Sequence, residues 1–180
     1  MTHFILRSVL VCALAVSSWH MPVLAKDATS TQAQIIGAYF SPPDNAAKAI
    51  IEQINASQKE LLVQAYGFTH NAIAQALVQA QKRGVKVQVI MDAKSEKTNR
   101  YVVEILDRER IPYRWDGKHA IAHNKVMVID QEVLITGSFN FTNSAQTRNA
   151  ENVLILRSVP LATEYRQNWQ DHWNHSREKP

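Results

Sequence analysis

Cysteine is nearly missing from this sequence: Cys12 is the only one in 180 residues. It falls inside a stretch that reads as a secretory signal peptide, residues 1–25. Arg7 supplies positive charge, residues 9–16 an unbroken apolar run, and Val23-Leu24-Ala25 a small-residue cleavage pattern. The apolar run is too short to cross a bilayer. Val11 ahead of Cys12 fits a lipoprotein cleavage site poorly. Without the leader, residues 26–180 hold no cysteine. A chain that is periplasmic or secreted would enter an oxidising compartment with no disulfide, so a hydrophobic core must hold it together. About 155 residues are enough for one domain with such a core. Long apolar segments are lacking after the leader, so no stable membrane insertion is expected of the processed chain. Internal repeats, low-complexity tracts and linkers are lacking too, which leaves a single domain over 26–180.

Positive charge is mild and confined. The formal net charge is +4. Residues 26–80 carry three Lys/Arg against four Asp/Glu, and residues 119–180 carry six against six. Residues 81–118 carry ten against six, so the excess sits there. A charge run is usually a solvated helix face. The other reading is an electrostatic landing strip for a polyanion such as nucleic acid. Composition leaves both open.

Periodicity gives a coarse element order. Residues 35–40 read as a strand, stopped by Ser41-Pro42-Pro43-Asp44, with Asp44 expected to cap a helix over "NAAKAIIEQINAS". A second strand spans 61–66. A helix spans 71–83, with Ile73, Ala76, Leu77 and Ala80 on one face and Gly84 as its stop. A third strand at 85–91, a helix near 100–108 and a strand at 111–115 follow. After a hairpin come a strand at 153–156 and a closing helix at 160–173. Strands alternating with helices argue for an α/β layered domain.

The hairpin segment is "HNKVMVIDQEVLITGSFNFT", residues 123–142. On a strand, side chains two apart share a face, so His123 and Lys125 can meet one ligand while Asp130 points away as a turn or network residue. With Gln131-Glu132 as a two-residue turn, Asp130 pairs with Val133, Lys125 lies opposite Ser138 and His123 opposite Asn140. A slip of one residue would turn Ser138 and Asn140 to the opposite face. The grouping suits a phosphodiester. Histidine can attack or transfer protons near neutral pH. Lysine supplies a point charge, and the Ser138 hydroxyl and Asn140 amide can bond phosphate oxygens. Gly137 lets the backbone approach closely.

The pattern His123-x-Lys125-x4-Asp130-x6-Gly137-Ser138-x-Asn140 resembles the signature of the phospholipase D superfamily. The signal peptide, chain length and following Glu151-Asn152 pair are similar to the small secreted bacterial nucleases with one such motif. The resemblance covers essentially the whole chain after residue 25. It implies an α-β-α sandwich with a central mixed β-sheet flanked by helices. It also implies His123 as nucleophile, Lys125, Ser138 and Asn140 as phosphate-binding groups, and Glu151 as the residue that orients the histidine. Related enzymes with two motifs set them face to face, so one motif per chain implies a homodimer with a shared site. The implied activity is a metal-independent endonuclease acting on DNA, with RNA as a further candidate and phospholipid head groups as the alternative substrate. No cofactor is expected.

Other residues invite function more weakly. His119 and His123 are four apart, as zinc ligands can be, but they approach a strand and lack a third ligand, so no metal is expected. Tyr39, Phe40, Tyr66 and Phe68 fall at strand ends and could stack bases, though such residues more often serve the core. Trp115, beside Arg114 and Lys118, is the better stacking candidate.

Overall fold

The computed structural model describes residues 32–178. The leader assigned to residues 1–25 lies outside them. Seven strands form one mixed sheet in the order β1-β7-β6-β5-β2-β3-β4. In chain order the elements are β1 (Gln34–Ser41), α1 (Ala46–Ala56), β2 (Glu60–Ala65), α2 (Asn71–Lys82) and β3 (Lys86–Asp92). A 3-10 turn then leads into α3 (Glu96–Arg108), followed by β4 (Tyr113–Asp116), β5 (Lys125–Ile129) and β6 (Val133–Gly137). The chain ends with α4 (Asn143–Thr147), β7 (Glu151–Arg157) and α5 (Val159–His175). The helix-rich half gives the parallel pairs β2–β3 and β3–β4. The later strands pair antiparallel. The fold is the expected α-β-α sandwich with a mixed sheet.

Strand alternation divides the core in two. On one side, Leu61, Val63, Met127, Ile135 and Ile155 pack with Ile50 and Ile54 of α1, Ile73 and Leu77 of α2, and Val102 and Leu106 of α3. On the other, Leu62, Ile90, Val126, Val128 and Leu134 pack beneath Ala162 and Trp169 of α5. Trp169 is 1% exposed, and its indole N–H donates to the Val63 carbonyl at 2.9 Å. Burying a side chain of that size stabilises by about 2–3 kcal/mol, and the hydrogen bond spares its one polar atom a desolvation cost. Lys125, Gly137 and Glu151 share the strand parity of the three-helix side, at the ends of β5, β6 and β7. Adjacent strands therefore bring all three to one edge of the sheet.

Three local expectations are corrected. Asn45, not Asp44, caps α1, its side chain accepting the Lys48 N–H at 3.0 Å. Asp44 instead takes the Phe40 N–H at 2.8 Å and closes the turn after β1. The β5–β6 hairpin pairs Ile129 with Val133, one residue away from the expected register. The cause is Asp130. Its carboxylate accepts the backbone N–H groups of Gln58, Lys59 and Glu60 at 2.7–2.9 Å, which draws it out of the ladder toward β2. Asp130 and Gln131 both adopt positive φ, 54° and 57°, the backbone sense of a tight primed turn, and Glu132 N–H closes it on the Ile129 carbonyl. The third correction is Trp115, which is 1% exposed and cannot stack a base. Its neighbour Arg114 is also engaged, donating to Glu178 and to the Trp173 carbonyl while lying 4.6 Å over the Trp173 ring.

Candidate active site

His123 is exposed and sits just before β5, at the end of a loop anchored at the residue before it. The anchor is Asp92 at the end of β3, whose buried carboxylate accepts the Ala122 N–H at 2.8 Å. The imidazole packs on Tyr66, with ring centroids 4.7 Å apart. Lys125 opens β5 and is only 7% exposed. Its ammonium donates to the His123 carbonyl at 2.7 Å and lies 5.2 Å over the Tyr66 ring. Burial pushes the Lys125 pKa below the ordinary lysine range, and the negative charge of Glu151 opposes that shift.

Ser138 and Asn140 reach the same place by another route than strand pairing. β6 ends at Gly137, so neither belongs to a strand and face parity no longer governs them. Ser138 donates its hydroxyl to Glu151 at 2.6 Å and receives the Asn152 N–H at 3.0 Å. Asn140 accepts the Gly67 N–H through its side-chain oxygen at 3.3 Å. Gly67 follows Tyr66, whose ring touches both His123 and Lys125. The hydrogen bonds of Glu151 go to Ser138 and Asn149, and its charge is felt at Lys125. Asp130 stands at the opposite end of β5 from Lys125, fastened to the start of β2.

Two contributors have parts the sequence reading did not give them. Tyr66, named there as a base-stacking candidate, packs its ring against both His123 and Lys125. Asn99 of α3 is fully buried, accepts the Phe68 N–H at 2.7 Å and donates to the Tyr66 carbonyl at 3.0 Å. It fixes the turn that carries Tyr66 and Gly67. Its sequence signal was faint: one polar residue on the apolar face of a helix.

The comparisons agree with this geometry. Residues 50–173 match the family model described as cardiolipin synthase, PLD-like domain. A protein from Rickettsia conorii named phospholipase D is 39% identical over 91% of this chain and 78% of its own length. Another from Rickettsia prowazekii is 42% identical over 74% of this chain and 65% of its own length. The crystal structure of the phospholipase D family member Nuc from Salmonella typhimurium superposes with a TM-score of 0.78 at 32% identity. It covers 82% of this chain and 99% of Nuc. The chain belongs to the phospholipase D superfamily. It is a phosphodiester hydrolase of that superfamily.

Within this phospholipase D fold, Gly137 has a role set by β7 rather than by a ligand. Its φ is +151°, and a Cβ there would lie 2.2 Å from the Asn152 carbonyl oxygen. Gly137→Ala is expected to cost about 3 kcal/mol, because strand backbone cannot yield as a flexible side chain does. Urea unfolding followed by circular dichroism checks this. A loss under about 0.5 kcal/mol would show that β7 moves freely.

His119 departs from the expected pairing with His123. It faces Asp116, His172 and His175, the one group among the described residues that could hold a metal ion. That group gathers at the end of β4, the edge strand, with β2 and β3 between β4 and β5.

Proposed function

We propose that this protein is an endonuclease that hydrolyses DNA, with RNA as a further candidate substrate, through a phosphohistidine at a site shared by two copies of the chain. The observation that carries the reading is a buried lysine ammonium two residues from an exposed histidine, in a chain with one such pair. His123 attacks phosphorus, the bond to the leaving oxygen breaks, and a proton must reach that oxygen from the far side. One imidazole cannot stand on both sides of an in-line displacement. The second copy's histidine supplies the proton, then takes one from water as water cleaves the phosphohistidine and restores His123. Lys125, Ser138 and Asn140 hold the phosphate oxygens, and their fixed charge and donors serve where other phosphodiesterases use a metal. Glu151 supports this cradle through Ser138 and Lys125. Asp130 and Gly137 shape the strands that carry it.

The positive excess in residues 81–118 supports a polyanionic substrate. After the loss of Trp115 and Arg114, the contact surface narrows to exposed groups on α3 such as Lys97, Arg100 and Arg108. The likeness to small secreted single-motif nucleases supports DNA and a periplasmic or secreted location. A lipid head group is the second reading, favoured by the name of the Rickettsia relatives. Among the described residues no helix is long and apolar enough to cross a membrane. Plasmid DNA and phosphatidylcholine vesicles, each incubated with the protein, separate the two substrates.

The shared site has its own test. Wild type is refolded with an equal amount of His123→Ala. If both histidines are needed, activity falls to about a quarter of an all-wild-type sample at the same total concentration. Independent sites leave about half. A value near half, or a fully active monomer by sedimentation, sinks the shared site.

A further inference from the structure

We infer that Asp116, His119, His172 and His175 form a closed tetrahedral transition-metal site, with zinc as its ion, that fastens the end of the chain and the loop before His123 to the sheet. The four ligand atoms lie within 4.8 Å of one another. They come from three places: the end of β4, the loop after it, and two positions three apart on the last turn of α5. The spacing i, i+3 puts His172 and His175 on one face of that helix.

The arrangement fits an ion better than a hydrogen-bonded cluster. Asp116 has no exposed side-chain surface. One of its oxygens is used by the Lys118 N–H at 3.0 Å. The other faces three imidazole nitrogens: His172 Nδ1 at 2.5 Å, His175 Nε2 at 3.2 Å and His119 Nδ1 at 3.4 Å. The three rings crowd together with centroids 5.0–5.5 Å apart. His175 Nε2 is buried and makes no hydrogen bond, with the Asp116 oxygen 3.2 Å away. A buried nitrogen without a hydrogen bond, aimed into a ring of nitrogen and oxygen atoms, is placed as a cation ligand would be. Zinc bonds of about 2.0–2.1 Å in a tetrahedron require ligand atoms roughly 3.3 Å apart. The Asp116 oxygen already stands at about that separation from two of the three nitrogens.

Ligand type narrows the ion. Three imidazoles with one carboxylate suit zinc and other late first-row metals and disfavour calcium or magnesium, which take oxygen ligands. Four protein ligands leave no open coordination position, so the site is structural rather than catalytic. The surroundings are built to hold it. Trp115 and Arg177 exchange backbone hydrogen bonds at 2.8 and 3.0 Å, pinning the chain beyond α5 beside β4. Ser176 N–H and hydroxyl both bond the His172 carbonyl. A metal here would tether His119, four residues before His123.

The test uses the full chain purified without chelator. Elemental analysis should find about one zinc per chain, retained through dialysis. Double substitution His172→Asn with His175→Asn should reduce it at least tenfold, while His123→Ala keeps it. Stripped protein titrated with zinc to a hundredfold excess over Kd should gain roughly 5–10 °C in Tm. If the double variant does not fold, His119→Ala serves, because His119 is half exposed and its loss removes one ligand without opening the core. That variant should bind zinc at least tenfold more weakly. No retained metal together with no Tm gain, or an equal gain in either variant, overturns the assignment.

Discussion

His123→Ala should lower turnover at least about 10⁴-fold, because it removes the group on which the proposed phosphohistidine would form. The fold should survive. His123 is exposed, precedes its strand, and contacts the site through the Tyr66 ring. Truncating such a side chain usually changes stability by less than about 0.5 kcal/mol. Substrate binding should also persist, since it rests on several charged groups rather than on one imidazole. The measurements are single-turnover cleavage, Tm, and acid-quench trapping of a phosphorylated histidine, which should appear in wild type and vanish in the variant. His70→Asn is the control. His70 caps α2, its ring accepting the Ile73 N–H, and asparagine keeps an acceptor there. Turnover above about one per cent in His123→Ala would remove the histidine from the nucleophile's role.

The sequence announced this histidine because its partners stand at fixed short spacings. Lys125 is two residues away and opens β5, and although His123 lies just before the strand, both pack on the Tyr66 ring. Ser138 and Asn140 were named as well, but for a reason that does not hold. They were assigned to a strand face, and the chain leaves the sheet before reaching them. Their placement comes from Asn152 and Gly67, contacts that depend on how β7 and the turn after β2 lie. The register of the hairpin was illegible for the same reason. Asp130 is held by three N–H groups some seventy residues earlier in the chain. No local rule for turns contains that pull.

Burial was the second thing hidden. Trp115 looked like a surface aromatic because charges flank it, yet the chain beyond α5 bonds to its backbone. His119 was read against His123, the histidine nearest in sequence. Its neighbours in space lie on α5, more than fifty residues later. Asn99 carried no motif at all and proved to brace the turn under the site. Local pattern reveals what strands and helices impose on side chains a few residues apart. It is silent where a group is placed by elements that meet only on folding.

Lys125→Met should separate activity from stability. Methionine has about the length of lysine and no charge. Loss of the ammonium removes a fixed positive donor at the phosphate, an effect expected to cost about 10²–10³-fold in turnover. Stability should hold or rise by up to about 2 kcal/mol, because a buried charge is replaced by apolar surface. The pH dependence follows from the direction of the Lys125 shift. Its folded pKa lies below the unfolded value, so between the two the unfolded chain binds more protons. Wild-type stability must therefore gain on the methionine variant as pH rises through that window, with the charged form penalised below it. Activity runs the other way. The ammonium loses its proton below the usual lysine range, so turnover should fall there on the alkaline side. Glu151→Gln removes the charge that opposes this shift, and the alkaline limb should move to lower pH. Turnover in Lys125→Met above a tenth of wild type would take the ammonium out of the chemistry. A limb that moves upward in Glu151→Gln would show that Glu151 does not support the lysine's charge.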